Sequence, residues 1–137
     1  MAAEVGKIFG GSWKLDRSEN FEAFLEAAGV GFLKKKLATS VSPSMVITVD
    51  GDNIEVKTSA GPKTIANKFQ LGREFESDTE YPAMATATLE GNKWVIQLTP
   101  KDSKKKNQKV TREIIDGELV QTMEIGDIAA KRIFKKA

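Results

Sequence analysis

Residues Ile128–Lys136 read Ile-Ala-Ala-Lys-Arg-Ile-Phe-Lys-Lys, and this stretch alternates between two sets of side chains as a β-strand does. One predicted face places a cation among three apolar side chains: Ile128, Ala130, Arg132 and Phe134. The same pattern surrounds Arg112, which shares a predicted face with Val110 and Ile114. Two such strands in a small protein indicate a shared interior that contains positive charge. An unpaired interior charge is costly, so it needs an anionic partner, water or a ligand.

Composition narrows the class of protein. The 137 residues are 40% hydrophobic and 29% charged, which is typical of one soluble globular domain spanning residues 1–137. The formal net charge of +2 is too small to indicate a nucleic-acid-binding protein. Cysteine and histidine are absent, so we expect no disulfide, no cofactor and no metal site. Because neither a signal peptide nor a membrane span is visible, we expect a cytoplasmic protein.

The first predicted helix follows a short strand at Gly11–Leu15 and a polar connection at Asp16–Glu19. Its apolar residues fall at positions i, i+3, i+4 and i+7: Phe21, Phe24, Leu25 and Ala28. Gly29 then provides a natural end, because glycine adopts the left-handed conformation that commonly terminates a helix.

A second helix is predicted between Gly31 and Pro43. Apolar residues repeat on one of its sides: Leu33, Leu37 and Val41. Three consecutive lysines occupy the rest of its surface, Lys35 opposite the apolar side and the other two beside it: Lys34, Lys35 and Lys36. These lysines form either a solvated face or a contact with anionic membranes, and the sequence leaves both interpretations open.

After Pro43 the chain alternates with the two-residue period of β-strands. Turn signals such as Asp50-Gly51-Asp52 and Glu90-Gly91-Asn92 separate the strands. The predicted strands after the helices are Ser44–Val49, Asn53–Thr58, Thr64–Leu71, Arg73–Ser77, Ala83–Leu89, Lys93–Thr99, Gln108–Ile115, Glu118–Ile125 and Ile128–Lys136. With the first strand they favour a ten-stranded antiparallel up-and-down β-barrel with a two-helix lid near the N-terminus, which leaves no exposed sheet edge.

Several motifs, taken in order and spacing, resemble the cytosolic fatty acid-binding proteins, a calycin-like family. They are Gly11-x-Trp13-x-Leu15, Asn20-Phe21-Glu22-x-Phe24-Leu25, Gly29-Val30-Gly31-Phe32, Phe69-x-Leu71-Gly72-x-Glu74-Phe75, Arg112-Glu113-Ile114-Ile115-Asp116-Gly117 and Arg132-x-Phe134. The resemblance covers nearly the whole chain. It implies a water-containing β-barrel that encloses a fatty acid or a similar amphiphile beneath a helical lid.

The resemblance also implies roles for particular residues. In that family the ligand carboxylate is held by two arginines and a tyrosine, and the matching positions are Arg112, Arg132 and Phe134. The portal and cavity-wall positions correspond to Phe21, Leu25 and Pro43. The sequence departs from the family at Phe134, which lacks the tyrosine hydroxyl, and at Pro62, in a short turn at Asp78–Pro82 and in a long loop at Pro100–Asn107. These departures leave the preferred ligand open.

The residues support the same chemistry independently. A long-chain carboxylate needs an apolar enclosure and a charge partner, and arginine suits a carboxylate better than lysine does. Gln121 and Met123 share a face on the strand between the two arginines, so the Gln121 amide is a candidate donor in place of the missing hydroxyl. The predicted cavity wall consists of Ile65, Met84, Trp94, Ile96, Leu98, Met123 and Phe134. Periodicity alone leaves open the alternative that both arginines are exposed.

The sequence therefore predicts a monomeric intracellular carrier of long-chain fatty acids or similar hydrophobic carboxylates, with transient contact to anionic membranes and no nucleic-acid partner. The alternatives are a membrane-associated structural lipid-binding protein and a carrier of another amphiphile such as a retinoid. We expect no enzyme, because no pair of carboxylates suited to acid–base catalysis is evident. Lys104–Lys106 with Lys109 reads as a solvated loop or as a nuclear-import signal, so a nuclear location also stays open.

Overall fold

The computed structural model describes residues 2–78 and 82–137, and within them it contains three helices and ten strands. The helices are α1 (Ala2–Phe9), α2 (Phe21–Ala27) and α3 (Phe32–Ser40). The strands are β1 (Gly11–Glu19), β2 (Ser44–Asp50), β3 (Asn53–Ala60), β4 (Lys63–Phe69), β5 (Phe75–Asp78), β6 (Pro82–Glu90), β7 (Lys93–Pro100), β8 (Gln108–Ile115), β9 (Glu118–Ile125) and β10 (Ile128–Lys136). The predicted turn at Asp78–Pro82 contains residues 79–81, which lie outside the described residues.

The strands form one antiparallel sheet in the order β4-β3-β2-β1-β10-β9-β8-β7-β6-β5. The first and last strands of the chain pair with each other, with Trp13 opposite Lys136, so the sheet curls into a nearly closed barrel. Among the described residues, β4 and β5 form the two sheet edges. The rings of Phe69 and Phe75 stack at 4.6 Å across the connection between these edges. The predicted ten-stranded up-and-down barrel is confirmed.

Because side chains alternate along each strand, every second one points into the barrel. On β6 the three alanines at every second position are buried: Ala83, Ala85 and Ala87. They pair in register with Pro100, Leu98 and Ile96 of β7, so small side chains face large ones across the strand pair. The inward-facing side of the strands is therefore lined by buried apolar side chains.

Helices α1 and α2 lie at opposite ends of β1, because this strand connects them directly. β1 has nine residues and therefore separates the two helices by about 30 Å. Helix α1, which the sequence pattern did not predict, buries Val5 and Phe9 completely. The Trp13 Nε1–H donates a hydrogen bond of 2.8 Å to the Phe9 carbonyl oxygen and so fixes the end of α1 to β1.

The lid at the other end consists of α2 and α3. Helix α2 buries Phe24 and Leu25, and Gly29 ends it at φ +81°. The Gly29 N–H donates to the Glu26 carbonyl and the Val30 N–H to the Leu25 carbonyl, both at 3.0 Å, which is the hydrogen-bond pattern of a Schellman ending. The boundary predicted from glycine is therefore confirmed. No described helix has the length and apolar character that a membrane crossing requires.

Helix α3 exposes its apolar side to solvent, whereas most amphipathic helices bury that side. The apolar residues Leu33 and Leu37 are 77% and 67% exposed, together with Phe32 at 65%. Lys35 instead turns toward α2, where its Nζ lies 2.6 Å from Glu26 Oε1. The predicted apolar side of this helix thus faces solvent, and one of its lysines is held against the neighbouring helix.

The predicted polar connection at Asp16–Glu19 is wrong, because these residues continue β1. A register shift between Leu15 and Arg17 lets the strand keep pairing with β10. Beyond this bulge Arg17 points outward to Glu118, at 3.0 Å, whereas Ser18 lies opposite Arg132. The bulge hid the strand from a strict two-residue alternation.

Candidate functional site

Five residues on five neighbouring strands lie in register on the inner face of the barrel. Trp94 pairs with Arg112, Arg112 with Gln121, Gln121 with Arg132, and Arg132 with Ser18. We call these five residues the arginine row. Neighbouring strands are about 4.8 Å apart, so the row extends roughly 20 Å across the sheet. Both arginines thus lie on one face, two strands apart.

The arginine row runs obliquely between the two ends of the barrel. Ser18 is the second-last residue of β1, next to the start of α2. Trp94 is the second residue of β7, which runs in the same direction as β1 because an even number of antiparallel steps separates them. Its ring lies 5.5 Å from that of Phe9 in α1. One end of the row therefore meets the lid and the other meets α1.

Arg112 occupies the inner half of the arginine row and is only 9% exposed. Its Nε donates a 3.0 Å hydrogen bond to Gln121 Oε1, and its guanidinium carbon lies 4.8 Å from the centroid of the Trp94 ring. Gln121 Nε2 in turn contacts Met123 Sδ at 3.5 Å. Burial lowers the pKa of Arg112 to about 10, so the side chain is still a cation at neutral pH.

Two donors of this cluster lack an acceptor. Arg112 Nη1 and Trp94 Nε1 are both buried, and neither has a hydrogen-bond partner among the described residues. A buried donor without a partner costs about 1–3 kcal/mol, and more when it is charged. The Arg112 cation and these two donors, in apolar surroundings, therefore suit an anionic group whose oxygen atoms can accept hydrogen bonds.

Arg132 occupies the outer half of the row and is half-buried. Its Nε donates to Ser18 Oγ at 3.2 Å, and its guanidinium carbon lies 4.0 Å from the Phe21 ring centroid. It borders an open cavity of about 430 Å³ lined by Leu15, Ser18, Asn20, Phe21, Glu22, Ala23, Thr39, Val41 and Arg132. The two guanidinium groups therefore have different partners, although their residues share one row.

Most of the predicted wall residues belong to the buried apolar cluster inside the barrel. The core cluster contains Leu25, Trp94, Ile96, Leu98, Met123 and Phe134. Phe134 is 3% exposed and pairs with Leu15 and Leu119, so its ring lies in an apolar layer next to the arginine row. Ile65 is half-buried opposite Thr58. Pro43 is buried, and its carbonyl accepts a 3.0 Å hydrogen bond from the Leu15 N–H.

The prediction that Met84 lines the cavity is wrong. It lies between the inward-facing Ala83 and Ala85 and therefore projects to the outer face of β6. There it borders a pocket of about 320 Å³ with Glu74, Thr86, Thr88, Gln97 and Thr99. The larger apolar side chain was assigned to the inside, whereas on β6 it is the alanines that face inward, in register with Ile96 and Leu98.

Two residues at the site were not predicted from the sequence. Ser18 was hidden by the β-bulge, although its spacing from Trp13 would reveal it once a bulge at Asp16 is allowed. Phe9 lies in a helix of eight residues, which is too short to be recognised by periodicity. The three lysines predicted to contact membranes differ in their surroundings. Lys34 and Lys36 are exposed, whereas Lys35 is paired with Glu26.

Comparison with known proteins agrees with this geometry. The sequence model of the Lipocalin / cytosolic fatty-acid binding protein family matches residues 10–137. The intestinal fatty acid-binding protein of Xenopus laevis is 40% identical over 134 residues, which cover 93% of this chain and 98% of that protein. Among solved structures, lipid binding protein 8 of Caenorhabditis elegans is similar with a TM-score of 0.91, at 30% identity and with 96% of each chain covered.

A fatty acid binding protein of Schistosoma mansoni in complex with arachidonic acid is similar with a TM-score of 0.87. It is 26% identical to this chain, and the similarity covers 94% of this chain and 96% of that one. The family match, the identity to its curated members and the shared barrel all agree. The chain therefore belongs to the lipocalin / cytosolic fatty-acid binding protein family.

Proposed function

We propose that this protein is an intracellular carrier that binds a long-chain fatty acid or a similar hydrophobic carboxylate inside the barrel. The observation that carries the proposal is the buried pair of donors without acceptors, Arg112 Nη1 and Trp94 Nε1. The relatives named as fatty acid-binding proteins, and the one solved with arachidonic acid, support the same ligand class. A cation in an apolar core selects a ligand that is mostly hydrocarbon and carries one negative charge.

In the proposed complex the carboxylate accepts hydrogen bonds from Arg112 and Trp94, and it offsets the charge that burial leaves uncompensated. Gln121 supplies a further donor when its amide turns from Met123 to the ligand. The hydrocarbon chain extends toward the lid along the core side chains of Ile96 and Leu98, and each buried CH₂ contributes about 0.8 kcal/mol. The cavity beside Phe21 supports an entrance at this end of the barrel.

Ligand charge provides the test. Isothermal titration calorimetry should show that oleate binds roughly tenfold or more tightly than oleyl alcohol, since only the anion satisfies a charged donor. Arg17→Gln is the matched control: this arginine points outward to Glu118, and its loss should leave both affinities unchanged. Equal affinities of the wild-type protein for oleate and oleyl alcohol would refute a carboxylate site at Arg112.

We further propose that the carrier delivers its ligand by contact between α3 and anionic membranes. The exposed side chains of Phe32, Leu33 and Leu37 offer an apolar surface, and the Lys36 ammonium lies 5.3 Å from the Phe32 ring centroid at its border. Basic side chains near an anionic bilayer contribute about 1 kcal/mol each. This surface also favours the alternative function, that of a membrane-associated structural lipid-binding protein.

A charge comparison within α3 tests delivery by contact. Transfer of a fluorescent fatty acid to anionic vesicles should slow several-fold in Lys34→Gln/Lys36→Gln, because these lysines are exposed. Lys35→Gln is the control; it removes one charge and is compared with each single variant, Lys34→Gln and Lys36→Gln, since Lys35 is engaged by Glu26. If transfer ignores both vesicle charge and the lysine substitutions, the ligand leaves through water instead; equal effects of the three lysines would show that the ion pair with Glu26 does not keep Lys35 from the membrane. Saturable binding of ligand-free protein to vesicles would support the structural role.

The remaining parts of the proposal follow the family. We infer a monomeric binding protein rather than an enzyme, located in the cytoplasm, with no nucleic-acid partner. A retinoid in place of the fatty acid stays an alternative ligand. The lysine-rich loop at Lys104–Lys106 folds beside the lid, because Lys105 Nζ lies 2.9 Å from the position that a Cβ at Gly29 would take. A nuclear location through this loop stays a prediction.

A further inference from the structure

Helix α1 lies outside the part of the chain that the family model matches, since that match begins at residue 10. It is nevertheless part of the core, because Val5 and Phe9 are 0% exposed and Ala2 is 4% exposed. Gly6 seats the helix on β2: a Cβ at this position would lie 3.2 Å from Val49 Cγ2. The helix is therefore held closely against the barrel end opposite the lid.

Phe9 connects α1 to the buried end of the arginine row. Its ring centroid lies 5.5 Å from that of Trp94, with the planes inclined by 46°. Trp94 also contacts Phe69 at 5.9 Å and carries the Arg112 guanidinium over its ring at 4.8 Å. The Trp94 side chain is thus enclosed by two aromatic rings and one cation, and Phe9 is the member of this enclosure that α1 provides.

The orientation of the Trp94 ring matters for both buried donors. It determines where Trp94 Nε1 points, and it provides the face on which the Arg112 guanidinium rests. The same guanidinium also donates a hydrogen bond of 3.0 Å from Arg112 Nε to Gln121 Oε1. A ring that tilts would separate the two donors from a common acceptor.

We propose that α1 is a positioning element of the head-group site, in which Phe9 holds Trp94 so that the Trp94 and Arg112 donors converge on one anionic group. This inference rests on the proposed carboxylate site at Arg112. Phe9 itself touches no ligand atom in this arrangement and acts through Trp94. The helix therefore sets the preference for a charged head group, in addition to closing the barrel end.

The first test compares the charge preference of two α1 variants. In Phe9→Leu, calorimetry should show that oleate binds roughly fivefold more weakly, whereas oleyl alcohol binds within about twofold of the wild-type affinity. Val5→Ala is the matched control, because Val5 is an equally buried residue of α1 on the turn before Phe9. Its ratio of oleate to oleyl alcohol affinity should equal that of the wild-type protein.

The ratio of oleate to oleyl alcohol affinity distinguishes the proposed carboxylate site from the proposed role of Phe9. A wild-type protein without oleate preference refutes the carboxylate site itself. A wild-type preference that Phe9→Leu keeps, or that Val5→Ala loses to the same extent, refutes only the positioning role of Phe9. General loss of packing would weaken both ligands equally in both variants, and that outcome also overturns the inference.

The second test needs no variant. If α1 favours oleate binding, oleate must in turn stabilise α1, because coupling between two sites is reciprocal. Amide hydrogen exchange of the wild-type protein should therefore slow at residues 5–9 by several-fold more with saturating oleate than with saturating oleyl alcohol. Equal protection by the two ligands would show that α1 does not respond to the head group, and would overturn the inference even if Phe9→Leu fails to fold.

Discussion

Arg112 and Arg132 share one row of the inner face, but the two ends of the barrel give them different environments. Arg112 rests on Trp94, which is backed by α1, and only 9% of it is exposed. Arg132 rests on Phe21 of the lid and borders an open cavity. Each guanidinium is thus paired with an aromatic ring, yet only the inner one has a buried nitrogen without a partner among the described residues.

This difference shows that position along a tilted row, more than residue type, decides what an interior arginine requires. Solvent reaches the outer arginine and screens its charge, so an anionic ligand adds little there. The inner arginine is desolvated, which lowers its pKa and makes an anionic partner more favourable. The carboxylate preference should therefore depend mainly on Arg112.

The largest effect is expected from removing the inner charge. Arg112→Gln should weaken oleate binding by roughly ten- to a hundredfold, the equivalent of about 1.5–3 kcal/mol for a charged hydrogen bond, and oleyl alcohol binding much less. The empty variant should be more stable to urea by about 1–2 kcal/mol, because a desolvated cation has been removed. Reduced stability of the empty variant would mean that the folded protein already compensates this charge.

A smaller effect is expected next to the row, at Phe134. This ring pairs with Leu15 and Leu119 in the apolar layer, so the hydroxyl of Phe134→Tyr would be buried without an evident acceptor. We expect the free energy of unfolding to fall by about 1 kcal/mol and oleate affinity to change by less than about twofold. Clearly tighter oleate binding, measured by calorimetry, would place the head group at Arg132, so that the outer arginine and not the inner one would hold the carboxylate.

Expressed as a free energy, the effect of removing the outer charge should be smaller than the unfolding cost expected for Phe134→Tyr. Arg132→Gln is expected to weaken oleate binding only about two- to threefold, because the side chain is half-buried and bonded to Ser18. Its effect need not add to that of Arg112→Gln, since both residues pair in register with the same residue, Gln121. A loss as large as that of Arg112→Gln would show that both arginines hold the head group together.

The smallest effect concerns pH. Burial holds the folded-state pKa of Arg112 at about 10, well below its usual value, so folding disfavours the charged form. This destabilisation is fully present below the folded pKa and is relieved only as pH rises from there toward the unfolded value. The stability difference between Arg112→Gln and wild type should stay constant from about pH 6 to about pH 9 and narrow above about pH 10. A steady change at neutral pH, seen in urea unfolding, would contradict the assignment.

Much of the lid and barrel followed from local patterns. The stripe from Phe21 to Ala28 and the glycine stop at Gly29 predicted α2 because both signals arise within one or two helical turns. Turn residues between alternating strands predicted the barrel. The pattern did not predict α1, because eight residues containing Gly6 form no stable helix alone and depend on contacts with Val49 and the core.

Orientation was less predictable than element type. Alternation on β6 shows that Met84 and Ala85 face opposite ways, but it does not show which of them faces inward. Likewise, Lys35 and Leu33 lie on different sides of α3, and the ion pair with Glu26 decides which side meets α2. Neighbouring elements supply this information, and they are distant in sequence.

By itself the sequence determined that two arginines stand on apolar strand faces of one small barrel, because alternation and turn residues act over a few neighbouring positions. Only the tertiary structure decided that the arginines occupy one oblique row, that α1 backs the inner one and that the lid covers the outer one. Register across the barrel and strand tilt depend on the pairing of β1 with β10, whose residues are separated by most of the chain.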